Sequence, residues 1–202
     1  MNNASTKINH HTNRTADTRQ VHSQPDGLNI NPSYSFHSTG EFGRGFYRNH
    51  CGPTAITNLI VTARQSQRGQ ILTSDEVRDI FENVASLGRH RLVYNRRYGT
   101  TDFFLWFYVK AAFKKLGADT LLRPVMRHTL SASNARRILS KGSFLLIELF
   151  GHPKYGWHQM VVYDVSDDGL FVTADGFSPA PVLLDDVSIG RGLFLEIRTV
   201  QE

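Results

Sequence analysis

Apolar positions at helical spacing first recur at Ala55, Ile56, Leu59, Ile60 and Ala63, one stripe that predicts an amphipathic helix. Pro53 suits its first turn, because its locked φ is already helical and its missing N–H would have had no partner there. A second helix is expected over residues 73–87. Thr73 and Glu76 form a capping box, Val77, Ile80, Phe81 and Val84 form the stripe, and Gly88 supplies the stop. A third is expected over residues 102–116 behind Thr101, with Phe103, Phe104, Phe107, Tyr108, Ala111 and Ala112 on its core face and Gly117 at its end. Beyond it the period changes. Residues 120–125 read as a short strand interrupted by Pro124, which suggests a sheet edge, and a short helix runs from Ser131 or Ser133 to Ser140, ended by Gly142. The nearly continuous apolar run at residues 143–150 predicts a strand buried on both faces, with Glu148 its one charged member. Residues 157–165 and 170–175 read as a hairpin about the turn Ser166-Asp167-Asp168-Gly169, and residues 181–184 and 193–200 as further strands. The expected class is therefore α+β, an N-terminal helical half packed on a C-terminal antiparallel sheet.

Residues 1–33 depart from this pattern. They are polar and nearly empty of large apolar side chains, so burial cannot offset their ordering entropy, and a disordered polar tail is expected ahead of one domain over residues 34–202. The tail lacks the apolar core of a secretory signal peptide, which leaves a cytoplasmic location or export by a different route. A solubilising extension, a propeptide and a leader all fit it. Between residues 34 and 47 aromatic residues alternate with glycine, predicting an ordered loop over the start of the first helix that either lines a groove or covers the core.

Composition narrows the chemistry. The 202 residues, 40% hydrophobic, hold one sizeable core, and no stretch reaches the apolar length of a membrane span. A single cysteine excludes an intramolecular disulfide. The net charge of +5 concentrates in the run from Arg89 to Arg97. An acidic partner there and a plain solvated loop both account for it, and no nucleic-acid motif accompanies it. No C-x-x-C, H-E-x-x-H or calcium-loop spacing occurs, so no metal or other cofactor is expected.

The lone cysteine sits at a telling place. Cys51 precedes Gly52-Pro53 at the tip of the first helix, where unpaired backbone N–H groups and the positive dipole end favour an anion. With an imidazolium nearby, that placement is expected to pull a thiol down from about 8.5. Nine histidines are candidates for the base, five of them (His10, His11, His22, His37, His152) in the tail or in loops. His50 adjoins Cys51, but neighbours at a helix start point apart. His158 is fixed by a strand, and an even-membered hairpin loop puts Asp175 on the same side of the sheet, opposite or diagonal to it. Nucleophile, base and orienting acid are then Cys51, His158 and Asp175.

These segments also carry a family likeness. Asn49-His50-Cys51-Gly52-Pro53-Thr54-Ala55 resembles the nucleophile motif of papain-like cysteine peptidases, particularly the C39-like group related to bacteriocin-processing peptidases. Gly156-Trp157-His158-Gln159-Met160-Val161-Val162 resembles that group's histidine strand, and Ala174-Asp175-Gly176 falls where its acidic residue follows. The likeness runs from about Phe42 to the C-terminus. It implies a papain-like fold and a cysteine protease acting on protein or peptide through an acyl-enzyme. The same triad in the wider superfamily supports acyl transfer or glutamine deamidation, and the same fold a binding module without turnover. The likeness breaks at Gly45, where the family carries an oxyanion-binding glutamine; the Cys51 N–H and the Asn49 side chain are the substitutes the sequence offers.

Overall fold

A computed structural model of the chain describes residues 30–43, 49–95, 97–101, 104–116, 120–123, 130–185 and 192–199. The expected tail over residues 1–33 lies outside them except for its last four residues, as do Gly45, Phe103 and Pro124. The first helix, α1 (Cys51–Arg68), begins at the cysteine itself and ends where Gly69 turns left-handed at φ 64° and its N–H closes on the Gln65 carbonyl.

Helix α1 is buried almost all round: Thr54, Thr57, Asn58 and Thr62 are as inaccessible as its apolar stripe. The polar side is covered by the aromatic segment before the helix, which lies over it as a strap. Asn58 Oδ1 accepts from Ser35 Oγ (2.9 Å) and the His37 amide (2.8 Å), and Asn58 Nδ2 donates to the His37 carbonyl at 2.9 Å. Thr62 Oγ1 accepts the Ser35 amide and donates to the Tyr163 hydroxyl, which in turn donates to the Ser35 carbonyl, each at 2.9 Å. Every buried polar atom in that chain has a partner, so it is tolerated in the core. Tyr34 stacks on Tyr163 (4.7 Å) and Phe42 on Phe81 (4.0 Å), which ties strap to sheet and to the next helix.

Helix α2 (Ser74–His90) has the expected capping box, Thr73 accepting from the Glu76 amide and Glu76 Oε2 from the Thr73 amide. It does not stop at Gly88. That glycine lies inside the helix, where an added Cβ would strike the Tyr108 ring and Tyr94 Cβ; the residue is small for packing rather than for a cap. The chain turns only at Leu92, with φ 57°. Helix α3 (Leu105–Leu116) is rotated from the expected face: Leu105, Tyr108, Val109, Ala112 and Phe113 are buried while Phe104 and Phe107 are exposed. The Tyr108 hydroxyl fixes that rotation by donating to the Val84 carbonyl at 2.8 Å.

The basic run begins in the last turn of α2 with Arg89 and His90, and beyond it a small antiparallel hairpin, β1 (Tyr94–Asn95) with β2 (Gly99–Thr100), stands where a loop was expected. The remaining strands are β3 (Thr120–Arg123), β4 (Ser143–His152), β5 (Gly156–Val165), β6 (Phe171–Ala174), β7 (Val182–Leu184) and β8 (Gly192–Thr199). They make one antiparallel sheet in the order β3-β8-β4-β5-β6-β7, with β3 at an edge as Pro124 suggested. Alternation along β4 and β5 divides the core. Phe144, Leu146, Val161 and Tyr163 pack with α1, α2 and α3 on one face, and Leu145, Ile147, Met160 and Val162 with α4 (Ala132–Leu139) on the other. The class is mixed α+β. Among the described residues no helix is long and apolar enough to cross a membrane.

The β5–β6 hairpin reaches its expected register by two cancelling irregularities. Its loop closes with Ser166 N–H on the Leu170 carbonyl (2.8 Å), which pairs positions of even sum, and a bulge between Val162 and Asp164 then restores odd sums at Val162↔Thr173 and Val161↔Ala174. Carried to the open end, that register sets His158 and Asp175 on a diagonal.

Candidate active site

Cys51 is the first residue of α1, and no side chain caps the helix ahead of it. The residue is partly exposed. The main-chain amide of Gln159 on β5 lies near its sulfur, as do those of Gly52 and of Cys51 itself. These amides favour the thiolate. Burial outweighs them and the charge of Glu148 adds to it, so the resting thiol is pushed up rather than down. The expectation of a thiol lowered by the helix end is thus corrected by desolvation.

His50, next in sequence, serves a different purpose. It is buried with its ring edge-on to Phe81 at 5.4 Å, and its Nδ1 lies 3.2 Å from Thr54 Oγ1 inside the first turn. Burial lowers its pKa. The neighbours do point apart.

His158 is the residue before the amide that meets the sulfur, and it is 3% exposed. Its Nε2 donates to the main-chain carbonyl of Asp175 at 2.6 Å. A carbonyl only accepts, so the neutral ring carries its proton on Nε2 and presents Nδ1 as a base. Burial pulls the imidazole pKa down, opposed by the carbonyl contact and by the charge of Asp175, with His152 adding to the lowering. The ring belongs to a group of three near-parallel aromatics, 4.5 Å from Phe177 and 5.4 Å from Tyr155, with those two 6.0 Å apart. Among the described residues no hydrogen bond joins His158 to the Cys51 sulfur; the amide near the sulfur belongs to the next residue, Gln159, whose side chain faces α1.

The Asp175 carboxylate faces elsewhere. Oδ1 accepts the amides of Phe177 (2.9 Å) and Ser178 (2.8 Å), and Oδ2 accepts from the Tyr155 hydroxyl at 3.1 Å. It therefore builds the turn whose carbonyl orients His158. That turn is held against the strap by Thr39 N–H on the Gly176 carbonyl (2.6 Å).

Gln159, which sequence reasoning passed over, closes the other side. Its side chain is 2% exposed and points at α1, where a Cβ on Gly52 would collide with Gln159 Oε1 and Thr100 Oγ1. Gln159 Nε2 donates to Glu148 Oε1 at 3.0 Å, which also accepts from Trp157 Nε1 at 3.1 Å. The odd acid in the apolar strand thus borders the cysteine. An amide directly after a candidate histidine, in an otherwise apolar strand, was the signal available. Asn49 has φ 54° and spends its amide on the Arg97 carbonyl at 2.8 Å, anchoring the β1–β2 hairpin beside the helix tip. One of the two N–H donors of the side chain named as a substitute oxyanion donor is therefore engaged. No cluster of metal-ligating side chains occurs among the described residues. No protein-family model, curated protein or solved structure matches the chain.

Proposed function

We propose that the chain is a cysteine-dependent amide hydrolase acting on protein or peptide, a papain-like peptidase in which Cys51 is the nucleophile and His158 the base. The observation that carries this reading is the placement of the Cys51 sulfur near the Gln159 amide, one residue beyond an imidazole whose Nε2 donates to the Asp175 carbonyl. The likeness of residues 49–55 and 156–162 to the papain-like motifs supports the same assignment.

Both partners rest neutral, since burial moves the thiol up and the imidazole down. The attack then proceeds by general-base catalysis rather than from a preformed ion pair. Nδ1 of His158 takes the thiol proton as sulfur bonds to the substrate carbonyl carbon. The Cys51 and Gly52 amides at the tip of α1, which lie by the sulfur, are the donors for the oxyanion, Pro53 having no N–H and Thr54 spending its own on the His50 carbonyl. The Nδ1 proton passes to the leaving amine, the C–N bond breaks, and water releases the acyl group from Cys51 with His158 again as base. Exposed Trp157 and Phe177 beside the histidine supply apolar surface for a peptide side chain.

The test is incubation of the full chain and of its Cys51→Ser variant with a complex peptide mixture, read by mass spectrometry. New peptide termini that require Cys51 are the expected result. Amine adducts in their place would assign transfer, and no Cys51-dependent product of either kind would reject the enzyme.

A further inference from the structure

The Asp175 carboxylate, the group expected to face His158, is drawn away from it by Tyr155. That tyrosine comes from the β4–β5 turn, which His152 organises by accepting the Lys154 and Tyr155 amides on Nδ1 at 3.1 and 3.2 Å. The turn delivers a ring that is 7% exposed, stacked near-parallel to His158, with its hydroxyl on Asp175 Oδ2. Lys154 Nζ donates to the same hydroxyl at 3.0 Å and lies 4.7 Å over the ring. One side chain therefore touches the imidazole, the carboxylate and a cation.

We propose that Tyr155 is a positioning residue for His158: its hydroxyl holds the Asp175 carboxylate in the 175–178 turn, so that the Asp175 carbonyl receives the Nε2 proton and Nδ1 is kept as the basic nitrogen. This rests on the reading of His158 as base, and it adds how the tautomer is chosen. Both Asp175 Oδ1 bonds go to amides within its own turn, and neither of those amides holds Oδ2. Tyr155 is the residue that occupies it. Without that hydroxyl the carboxylate loses a donor, and its charge acts more strongly on the imidazole. The charged and titratable groups around His158 are Asp175 beyond β6 and His152, Tyr155 and, through the Tyr155 hydroxyl, Lys154 on the β4–β5 turn.

The experiment uses full-length protein carrying ring-15N histidine, with the His158 signals assigned by His158→Gln. The wild-type imidazole is expected as the Nε2–H tautomer when neutral. Tyr155→Phe keeps the stack and is expected to raise the His158 titration midpoint by about half a unit or more, since it frees an adjacent negative charge. In an Asp175→Asn background the same Tyr155→Phe change is expected to move nothing, which a merely structural tyrosine would not obey. A wild-type Nδ1–H tautomer, or an equal shift in both backgrounds, or no shift in either, overturns the proposal. Iodoacetamide labelling of Cys51 is run alongside. If His158→Gln leaves its pH profile unchanged, the base assignment fails while the tautomer result still stands on its own.

Discussion

His158 and Asp175 meet through a main-chain carbonyl: Nε2 donates to the Asp175 oxygen at 2.6 Å, and the Asp175 side chain is occupied by Tyr155 and by the amides of residues 177 and 178. The acid thus acts on the histidine by shaping the turn that holds the acceptor. Orientation and charge become separable, and substitutions at Asp175 distinguish them. Asp175→Asn keeps an oxygen for both amides, so the turn and the histidine contact are expected to survive. Asp175→Ala strips a buried site of its acceptor and leaves two N–H groups and a hydroxyl unpaired, at about 1–3 kcal/mol for each group left unsatisfied. Urea unfolding of the two variants checks this, with asparagine expected close to wild type and alanine far below it.

Glu148 acts on the Cys51 thiol. Burial of the sulfur holds it in the thiol form, and the charge of Glu148 adds to that. Glu148→Gln removes the charge and keeps an acceptor for Trp157 and Gln159, so the thiol pKa is expected to fall and the thiolate fraction below the midpoint to rise. Iodoacetamide rates measured from pH 6 to 10 read it directly; an unchanged midpoint would show that burial alone sets the thiol.

Gly52 is required by what packs on it. A methyl group there meets Thr100 Oγ1, Thr100 Cβ and Gln159 Oε1, so Gly52→Ala pushes the tip of α1 off the β1–β2 hairpin. The expected cost is about 1–3 kcal/mol from overpacking, with slower Cys51 labelling. Gly52→Ala combined with Thr100→Gly removes part of the clash and is expected to recover stability, whereas additive losses would place the strain elsewhere.

The pH dependence of folding follows from the buried histidines. His50 and His158 have folded pKa values below the ordinary value of about 6.5. Below that value the unfolded chain takes up protons that the folded chain refuses, so stability falls as pH drops, and the fall ends once pH is under the folded values. Glu41, lowered through its bonds to His37 and Ser38 against an opposing burial, acts in a separate window below about 4.5. Thermal melts from pH 7.5 to 5 are expected to show a declining midpoint, and His158→Gln to flatten that slope.

What was legible in the sequence was what periodicity and local chemistry encode. The α1 stripe, the Thr73–Glu76 box, the apolar run of β4 and the hairpin carrying His158 all appear where expected. Features set by distant partners were not legible. Gly88 looks like a stop until Tyr108 and Tyr94 are seen against it. Helix α3 carries two apolar stripes that share Tyr108 and Ala112, and the core that takes in Leu105, Val109 and Phe113 selects one. The candidate site shows the same division. Cys51 stands at a helix tip and His158 on a strand as expected, and Glu148 shows as a charge in an apolar strand, but the carbonyl contact of Asp175 has no side-chain signature. Tyr155 belongs to a turn whose form depends on His152.

The strap offers the most direct measure of how far the site depends on the chain before it. Asn58 binds Ser35 and both main-chain groups of His37, and Thr39 in turn holds the Gly176 carbonyl inside the turn that orients His158. Asn58→Ala leaves the Ser35 hydroxyl and the His37 N–H and carbonyl without their partners. The strap is then expected to open locally at lower free energy than the whole fold. Hydrogen exchange at residues 35–39 reports the opening, and exchange at the amides of Phe177 and Ser178 reports whether it reaches the turn. Faster exchange at both places would make the strap part of the support for His158; faster exchange in the strap alone would confine its role to covering α1.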